Sequence, residues 1–452
     1  MSLHELSATE QFDALRGGEV SSRELTEHYL RRIERLDAGL GAFVTVTPEL
    51  ALEEAVRADK RIAAGEWAPL LGLPIGIKDL YPAAGVRTTF GSAALAGFVA
   101  PEDSWTTALV RRAGAVLVGK TNTAEFGATC YTHNDVTAQP AVTPYDLGRY
   151  ASGSSGGAAT AVAAGLLPLA TAGDGAGSTR TPAAVCHLVG VKPSRGLVGS
   201  PALVSTTVEG PIARTVADAA LLLDVMADGV PACAPRKPLR VAMWTDTGLD
   251  GPPHPQAVRA VERTAALLRD LGHDVREVPI PAGCDERVRQ ALRKHFASSV
   301  HAAVSTLVPP DDRGSLLPYT RHLYAEGEAM LGREVLAVEG ILAEYAGAFL
   351  AAFADFDVAL TPVTNGPPVP IGHFLAGGVE AVPESMLAWS GYTPWANFTG
   401  QPAIALPSHV DEGLPHGVQL VGRPRHDAEL LALAAELEDA ALWQDIHPPC
   451  WD

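Results

Sequence analysis

The stretch 173–180 reads GDGAGSTR, so small residues surround the hydroxyl of Ser178. Glycines leave the backbone free to turn sharply, and consecutive glycines let several N–H groups point to one position. Such a group of donors can stabilise the negative oxygen that forms during acyl transfer. We therefore predict a tight loop here, with Ser178 as a candidate nucleophile.

Two other segments could supply a base for this hydroxyl. Residues 152–157 read SGSSGG, and an apolar run further upstream ends at Lys78. A serine hydroxyl is a poor nucleophile until a neighbouring group removes its proton, and a lysine can do so only when it is neutral. Burial of Lys78 at the end of a strand is expected to lower its pKa. Either Ser154 or Ser155 could then pass a proton from Ser178 to the amine.

The first 65 residues are predicted to be helical. Ser7 and Ser21 each stand three residues before a glutamate, which is the pattern of a capping box at a helix start. A third helix is expected with Thr47 as its N-cap, Pro48 at its first position and Gly65 just past its end. These helices are interpreted as scaffold.

From residue 66 onward, short apolar strands alternate with helices, which is typical of an α/β sheet protein. The pattern predicts strands over 73–77, 115–118, 239–244, 275–280, 358–360, 403–406 and 417–421. It predicts helices over 256–271, within 286–354 and over 427–438. The strands 239–244 and 275–280, with the helix between them, fit a βαβ crossover.

Charge and cysteine content exclude several classes of protein. The net charge is −18, and Lys and Arg never form a run longer than two, which argues against a nucleic-acid or membrane surface. The N-terminus lacks a basic segment followed by an apolar one, so a cytoplasmic protein is expected. The apolar segment 158–173 is predicted to be a buried helix that ends in a loop. Neither a disulfide framework nor a metal site is expected from the widely spaced cysteines Cys130, Cys186, Cys233, Cys284 and Cys450.

Three further patterns suggest other functions. Residues 114–121 match the P-loop formula, but the residues between its glycines form a predicted strand, so nucleotide binding is not expected. Residues 153–157 match GxSxG, which would make Ser155 the nucleophile of an α/β-hydrolase, although no apolar strand precedes the motif. No metal-binding spacing joins the histidines His133, His187, His295 and His301.

Five segments together resemble the amidase signature family, in an order and spacing that cover nearly the whole chain. They are GLPIGIKD at 72–79, GSSGG at 153–157, DGAGSTRTPAA at 174–184, GVKPS at 190–194 and GLPHGVQLVGRP at 413–424. The resemblance implies an α/β fold, a single large domain with a mixed, twisted central β-sheet covered by helices. Its parts would be a helical N-terminal part (1–65), a signature core (66–230), a variable part with the substrate pocket (231–400) and C-terminal strands and helix (401–452).

The resemblance also implies a role for each matching residue. Ser178 would be the nucleophile that becomes acylated, and Lys78 the terminal base. Ser154 would bridge them, held after a cis peptide bond with Gly153, and Ser155 would support the network by hydrogen bonding. The oxyanion hole would be formed by the backbone N–H groups of Gly175, Ala176, Gly177 and Ser178.

Two positions depart from the usual family pattern. Ser152 stands where a glycine commonly begins the GGSSGG run, and Ala176 stands where a glycine commonly lies two residues before the nucleophile. We expect Ala176 to matter more, because alanine would be strained if that position required a positive φ.

Asp174 and Arg180 flank the nucleophile, and two interpretations stay open. They could form a buried ion pair that braces the loop, or the arginine could bind a substrate carboxylate. Bracing is favoured, because pairing is the usual way to bury charges.

The implied reaction is hydrolysis of a small-molecule carboxylic amide through an acyl-enzyme, with no cofactor and no metal. This makes the protein an amide hydrolase acting on linear C–N bonds other than peptide bonds. The alternatives are an acyltransferase that passes the acyl group to an amine, and a glutamine-hydrolysing subunit of a tRNA-dependent amidotransferase. A non-catalytic binding protein is disfavoured because all three catalytic side chains are present. Substrate identity and oligomeric state stay open, with a homodimer as the assembly that the resemblance suggests.

Overall fold

A computed structural model describes residues 2–199, 206–229, 238–249 and 251–452. Cys233 and the division predicted between residues 230 and 231 lie outside the described residues. The strands of the described part are β1 (Phe43–Val46), β2 (Pro74–Lys78), β3 (Val116–Thr121), β4 (Leu169–Asp174), β5 (Val189–Lys192), β6 (Val208–Ala213), β7 (Arg240–Met243), β8 (Asp274–Glu277), β9 (Val358–Pro362), β10 (Ala403–Asp411) and β11 (Leu414–Gly422).

These strands form one sheet in the order β1-β3-β2-β4-β6-β5-β10-β11-β9-β7-β8. β2 runs parallel to β3 and β4, and β7 runs parallel to β8 and β9. The other pairs are antiparallel. The prediction of a single α/β domain with a mixed central sheet is therefore confirmed.

Helices cover this sheet, and they are α1 (Ala8–Gly17), α2 (Ser22–Leu40), α3 (Pro48–Ala63), α4 (Trp105–Arg112), α5 (Gly156–Ala163), α6 (Arg180–Val185), α7 (Val216–Met226), α8 (Pro255–Asp270), α9 (Glu286–Leu307), α10 (Pro318–Glu328), α11 (Gly332–Ala352), α12 (Val382–Ser390), α13 (Pro394–Thr399) and α14 (Asp427–Ala441). The predicted βαβ unit is present as β7, α8 and β8. Within the described residues, α11 alone has the length and apolar content that would allow a helix to cross a membrane. One face of α11 packs against α9 and α13.

Both predicted capping boxes are present at the N-terminus. The Ser7 hydroxyl accepts a hydrogen bond from Glu10 N at 3.2 Å, and the Glu10 carboxylate accepts one from Ser7 N at 2.7 Å. The same pair of bonds starts α2. Thr47 precedes α3, but its hydroxyl donates to Leu117 O at 2.9 Å instead of capping the helix. Thr47 follows the edge strand β1, which the helical prediction for residues 1–65 missed.

The prediction for the apolar segment 158–173 is correct only in its first half. α5 ends at Ala163, a turn follows over 164–168, and from Leu169 the chain forms β4 of the sheet. All residues of β4 are buried, because β2 and β6 flank it within the sheet and α5 and α7 pack against it. A strand buried in this way has no polar alternation, so its sequence resembles that of a buried helix.

The sheet brings the candidate site residues to one edge. Lys78 is the last residue of β2 and Asp174 is the last residue of β4, and these strands are parallel neighbours. The loop 175–179 leads from β4 into α6, while Ser154 and Ser155 immediately precede α5. Ligand sites in α/β proteins commonly form at the carboxyl ends of parallel strands.

Candidate active site

The side chain of Lys78 is buried, and its amine contacts a serine. Nζ of Lys78 lies 2.7 Å from Ser154 Oγ and 3.3 Å from Gly173 O. In the described part of the chain, no carboxylate forms an ion pair with this amine. Its two partners, a hydroxyl and a carbonyl, suit an uncharged amine as well as a charged one.

Burial lowers the pKa of Lys78 from 10.5 to about 7. The negative charges of Asp174 and Glu209 act in the opposite direction but do not compensate for the lost water. Near neutral pH a substantial fraction of the amine is therefore unprotonated and can accept a proton. Lys78 thus has the electrostatic setting that the sequence predicted for a base.

The segment that carries Ser154 has an unusual backbone. The peptide bond between Gly153 and Ser154 is cis, as the resemblance implied. Ser152 has a φ of 63°, in the left-handed region. Its Oγ forms hydrogen bonds with Cys130 O and with Thr181 Oγ1, each at 3.0 Å. These two bonds hold Ser152 in a conformation that glycine would adopt more readily.

The expected strain at Ala176 depends on a positive φ at that position, and this condition is not met. The positive φ of the glycine loop belongs to Gly177, at 127°, and Ala176 has no positive φ. A side chain at Gly177 would collide with the Thr393 hydroxyl, which donates to Ala176 O at 2.5 Å. Of the two departures from the family pattern, Ser152 is the one that lies at a positive φ.

The glycine loop presents several backbone donors. Gly177 N–H donates to Asp174 Oδ1 at 2.6 Å, so this donor already has a partner. Among the described residues, the N–H groups of Gly175, Ala176 and Ser178 donate to no protein acceptor. Three of the four predicted oxyanion donors are therefore available to a ligand.

Ser178 and Ser155 differ in access. Ser178 lines a cavity together with Lys78 and Ser154, and its hydroxyl has no hydrogen-bond partner within the described residues. Ser155 is fully buried, and its Oγ lies 3.2 Å from both the nitrogen and the oxygen of Gly173. No strand precedes it between residues 146 and 151. The geometry thus favours Ser178 over Ser155 as the group that meets a substrate.

A buried ion pair braces the glycine loop. Arg180 Nε and Nη2 donate to the two carboxylate oxygens of Asp174, each at 2.9 Å. Its other N–H groups donate to Thr393 O, Gln419 Oε1 and Asn397 Oδ1. All five guanidinium N–H groups thus have a protein partner, and none is left for a substrate carboxylate. Burial opposes ionisation of Asp174, but the arginine holds the pKa of this carboxyl well below its usual range.

Sequence reasoning missed Asn397 and Gln419 as members of this set. Asn397 Nδ2 donates to the backbone oxygen of Asp174 at 2.8 Å and to its Oδ1 at 2.9 Å. Gln419 belongs to the motif 413–424, so the motif itself was a signal for it. Asn397 lies outside every recognised motif, and only the fold brings it to Asp174.

The cavity above Ser178 has a volume of about 280 Å³. Much of its wall is apolar, with contributions from Phe126, Phe296, Val300, Tyr319, Met386 and Leu387. The two arginines of α9 that reach it are already paired, Arg289 with Glu286 and Arg293 with Glu326, each at 2.9 Å. His295 also lines the cavity and is held by Glu339 at 2.7 Å.

The remaining candidates do not converge on this cavity. His133, His187 and His301 lie elsewhere, and no group of three or more His, Cys, Asp or Glu side chains in the described residues could hold a metal ion. Residues 116–121 of the P-loop formula form β3, as predicted, and Lys120 within it pairs with Asp79 at 3.4 Å.

Comparisons with known proteins agree with this site. The amidase family model matches residues 24–431. The putative amidase AmiB2 of Mycobacterium bovis is 38% identical over 98% of this chain and 97% of that protein. A glutamyl-tRNA(Gln) amidotransferase subunit of Thioalkalivibrio sulfidiphilus is 34% identical over 98% of each chain. The structure of 6-aminohexanoate cyclic dimer hydrolase superposes with a TM-score of 0.87 at 28% identity and covers 99% of both chains. A bacterial aryl acylamidase has a TM-score of 0.87 at 25% identity, with 98% of both chains covered.

The fold and these relatives together define an amide hydrolase that acts on C–N bonds other than peptide bonds. The chain belongs to the amidase signature family. Its substrate is accordingly a small molecule.

Proposed function

We propose that this amidase hydrolyses a carboxylic amide through an acyl-enzyme on Ser178, with Ser154 as the proton bridge and Lys78 as the base. The observation that carries the proposal is the 2.7 Å contact between Lys78 Nζ and Ser154 Oγ, at a cavity that Ser178 also lines. Ser154 and Ser178 form no hydrogen bond with each other in the structure. We expect this bond to form when substrate binds, since catalytic hydrogen bonds are often long in unliganded enzymes.

The reaction would run in two halves. Ser178 Oγ attacks the amide carbonyl while its proton passes through Ser154 to Lys78 Nζ. The N–H groups of Gly175, Ala176 and Ser178 stabilise the resulting oxyanion. The C–N bond then breaks, and the leaving nitrogen takes the proton back along the same path. Water attacks the ester by the same route, so that the acid leaves and the serine hydroxyl is restored.

The apolar wall of the cavity favours an uncharged acyl group. Because Arg289 and Arg293 already carry carboxylate partners, neither offers an unpaired cation to an acidic substrate. Ammonia release from a panel of aliphatic, aromatic and amino-acid amides would identify the acyl group. We expect the apolar amides to have the highest kcat/KM and amides with a free carboxylate the lowest.

One relative supports a second candidate function. The amidotransferase subunit from Thioalkalivibrio sulfidiphilus matches this chain over nearly its full length. A protein of that kind would release ammonia from glutamine and depend on a partner protein. Hydrolysis of simple amides by the isolated chain would count against this candidate, and activity that appears only with glutamine and a partner would support it.

The decisive experiment compares two serines of the site. Ser178→Ala should abolish hydrolysis and leave no acylated protein in mass spectra of the quenched reaction, with a loss on the order of 10⁴-fold or more in kcat. Ser155→Ala should still form the acyl-enzyme, at a reduced rate. An acyl-enzyme that forms in Ser178→Ala but not in Ser155→Ala would overturn the proposal in favour of the GxSxG alternative.

A further inference from the structure

The cavity above Ser178 contains a polar pair that the proposed mechanism does not use. Thr206 and His295 both line this cavity. His295 belongs to α9, whereas Thr206 lies just before β6. His295 Nε2 and Thr206 Oγ1 are 3.2 Å apart, so a hydrogen bond joins the two side chains at the cavity wall.

The imidazole ring of His295 is held by two further contacts. Its Nδ1 lies 2.7 Å from Glu339 Oε1. The ring also meets Phe398 edge to face, with the ring centroids 5.4 Å apart. Because an ionised carboxylate only accepts hydrogen bonds, Nδ1 carries the hydrogen of the bond to Glu339. In the neutral imidazole Nε2 is then left with a lone pair and can only accept.

Thr206 is fixed through its backbone as well. Asn397 Nδ2 donates to Thr206 O at 3.2 Å and to Asp174 O at 2.8 Å, which ties Thr206 to the end of β4. The neighbouring Thr207 lies beside the glycine loop, since a Cβ added to Gly175 would lie 3.0 Å from Thr207 Oγ1. Thr206 therefore borders the cavity on the side where the glycine loop begins.

The direction of the bond to His295 decides what Thr206 can offer a ligand. A threonine hydroxyl has one O–H and two lone pairs. Since Nε2 of the neutral ring can only accept, the O–H of Thr206 points to His295, and lone pairs alone remain for a molecule in the cavity. Such a group attracts an N–H or O–H of the ligand and leaves a ligand oxygen without a donor.

We propose that Thr206 binds an uncharged N–H or O–H group on the acyl part of the substrate, and that Glu339 and His295 are positioning residues that orient its hydroxyl. This inference rests on the proposed function and deepens it. The acyl group would be apolar over most of its surface and would carry one hydrogen-bond donor. An acyl group with only an acceptor at that place would meet the lone pairs of Thr206 and react more slowly.

The test uses primary amides of hydroxyalkanoic acids in which the hydroxyl group moves along the chain, each compared with its methyl ether. Values of kcat/KM are measured on the alkaline plateau of the pH profile, with the imidazole neutral. The wild-type enzyme should prefer the hydroxyl compound by at least about tenfold at one chain position. Thr206→Val, which keeps the volume of the side chain, should lose this preference, and Thr206→Ser should retain it. Both variants should hydrolyse the unsubstituted alkanoic amide within about twofold of the wild-type kcat/KM.

His295→Phe tests the orientation of the hydroxyl. It keeps an aromatic ring beside Phe398 but removes the acceptor, so the O–H of Thr206 becomes free to donate to a ligand. The methyl ether should then gain relative to the hydroxyl compound, which a purely structural role of His295 would not produce. His301→Phe is the matched control, because His301 lies on the same helix outside the cavity, stacked on Tyr324 with the ring centroids 4.9 Å apart. It should keep the wild-type preference.

A preference for the hydroxyl compound that survives in a folded Thr206→Val protein would overturn the inference, as would an equal change in His295→Phe and His301→Phe. So would a wild-type enzyme that hydrolyses alkanoic amides and shows no preference at any chain position. Alkanoic amides test the proposed function separately. If their hydrolysis survives in Ser178→Ala, the proposed function fails, whatever the preference at Thr206.

Discussion

Two buried lysines lie near the ends of neighbouring parallel strands, Lys78 on β2 and Lys120 on β3, and their surroundings differ. Lys120 lies 3.4 Å from the carboxylate of Asp79 and donates to Thr88 Oγ1 and to Tyr81 O. Lys78 meets a hydroxyl and a carbonyl. Burial lowers the pKa of Lys120 to about 8 and that of Lys78 to about 7. We infer that the carboxylate partner distinguishes Lys120, an amine paired within the fold, from Lys78, the proposed base.

The sharpest way to break this comparison is to remove each amine in turn. Lys78→Met should lower kcat by about 10³-fold, within the range expected for loss of a general base, while the protein stays folded. Lys120→Met should instead destabilise the folded protein, because it leaves Asp79 buried without its cation. We expect a loss of about 3–5 kcal/mol in the free energy of unfolding, measured with urea, and less than a tenfold change in kcat. A collapse of kcat in the folded Lys120→Met protein would show that the two amines are not distinct in role.

Arg180 is a third buried cation, and every one of its N–H groups has a protein partner. Arg180→Met removes all hydrogen bonds of the guanidinium at once and leaves Asp174 without its cation. A loss of about 3–5 kcal/mol in the free energy of unfolding is expected. Relative kcat/KM values across an amide panel should change little. If Arg180 instead bound a substrate carboxylate, amides that carry a carboxylate would lose the most. Denaturant curves and the panel, measured on one protein preparation, distinguish the two.

The pH dependence gives a finer measure of the difference between the lysines. Because the folded pKa of Lys78 is about 7, kcat/KM should rise about tenfold per pH unit below neutrality and level off above it. In the unfolded chain the amine returns to its ordinary value of 10.5, so between these values the unfolded state binds more protons. Stability should therefore rise with pH across this window, and Lys78→Met should reduce that rise without abolishing it, because burial also lowers the pKa of Lys120 to about 8 and that of Lys192 to about 7. An acid limb near pH 4 to 5 would instead point to a carboxylate base.

Much of the fold could be predicted because its signals are local. Capping boxes at Ser7 and Ser21 and the alternation of strands and helices depend on neighbouring residues. The missed elements depend on distant ones. β1 is a four-residue edge strand whose partner β3 lies far along the chain, and β4 resembles a buried helix because both of its faces are covered.

The site was predictable to a similar degree. Lys78 and the two serine segments were identified from their motifs, and the sheet brings them to one edge. The bracing partner Asn397 carries no local signal, and the strain at Ser152 depends on a φ angle that composition does not reveal.

The placement of β10 and β11 between β5 and β9 has a consequence for synthesis on the ribosome. Until these two late strands emerge, the earlier strands on either side share no edge and remain two unjoined halves. Arg180 also waits for Asn397 and Gln419, which are translated long after it. In a nascent polypeptide the nucleophile loop therefore stays incompletely braced until residue 419 has been added, and we expect no activity before that point.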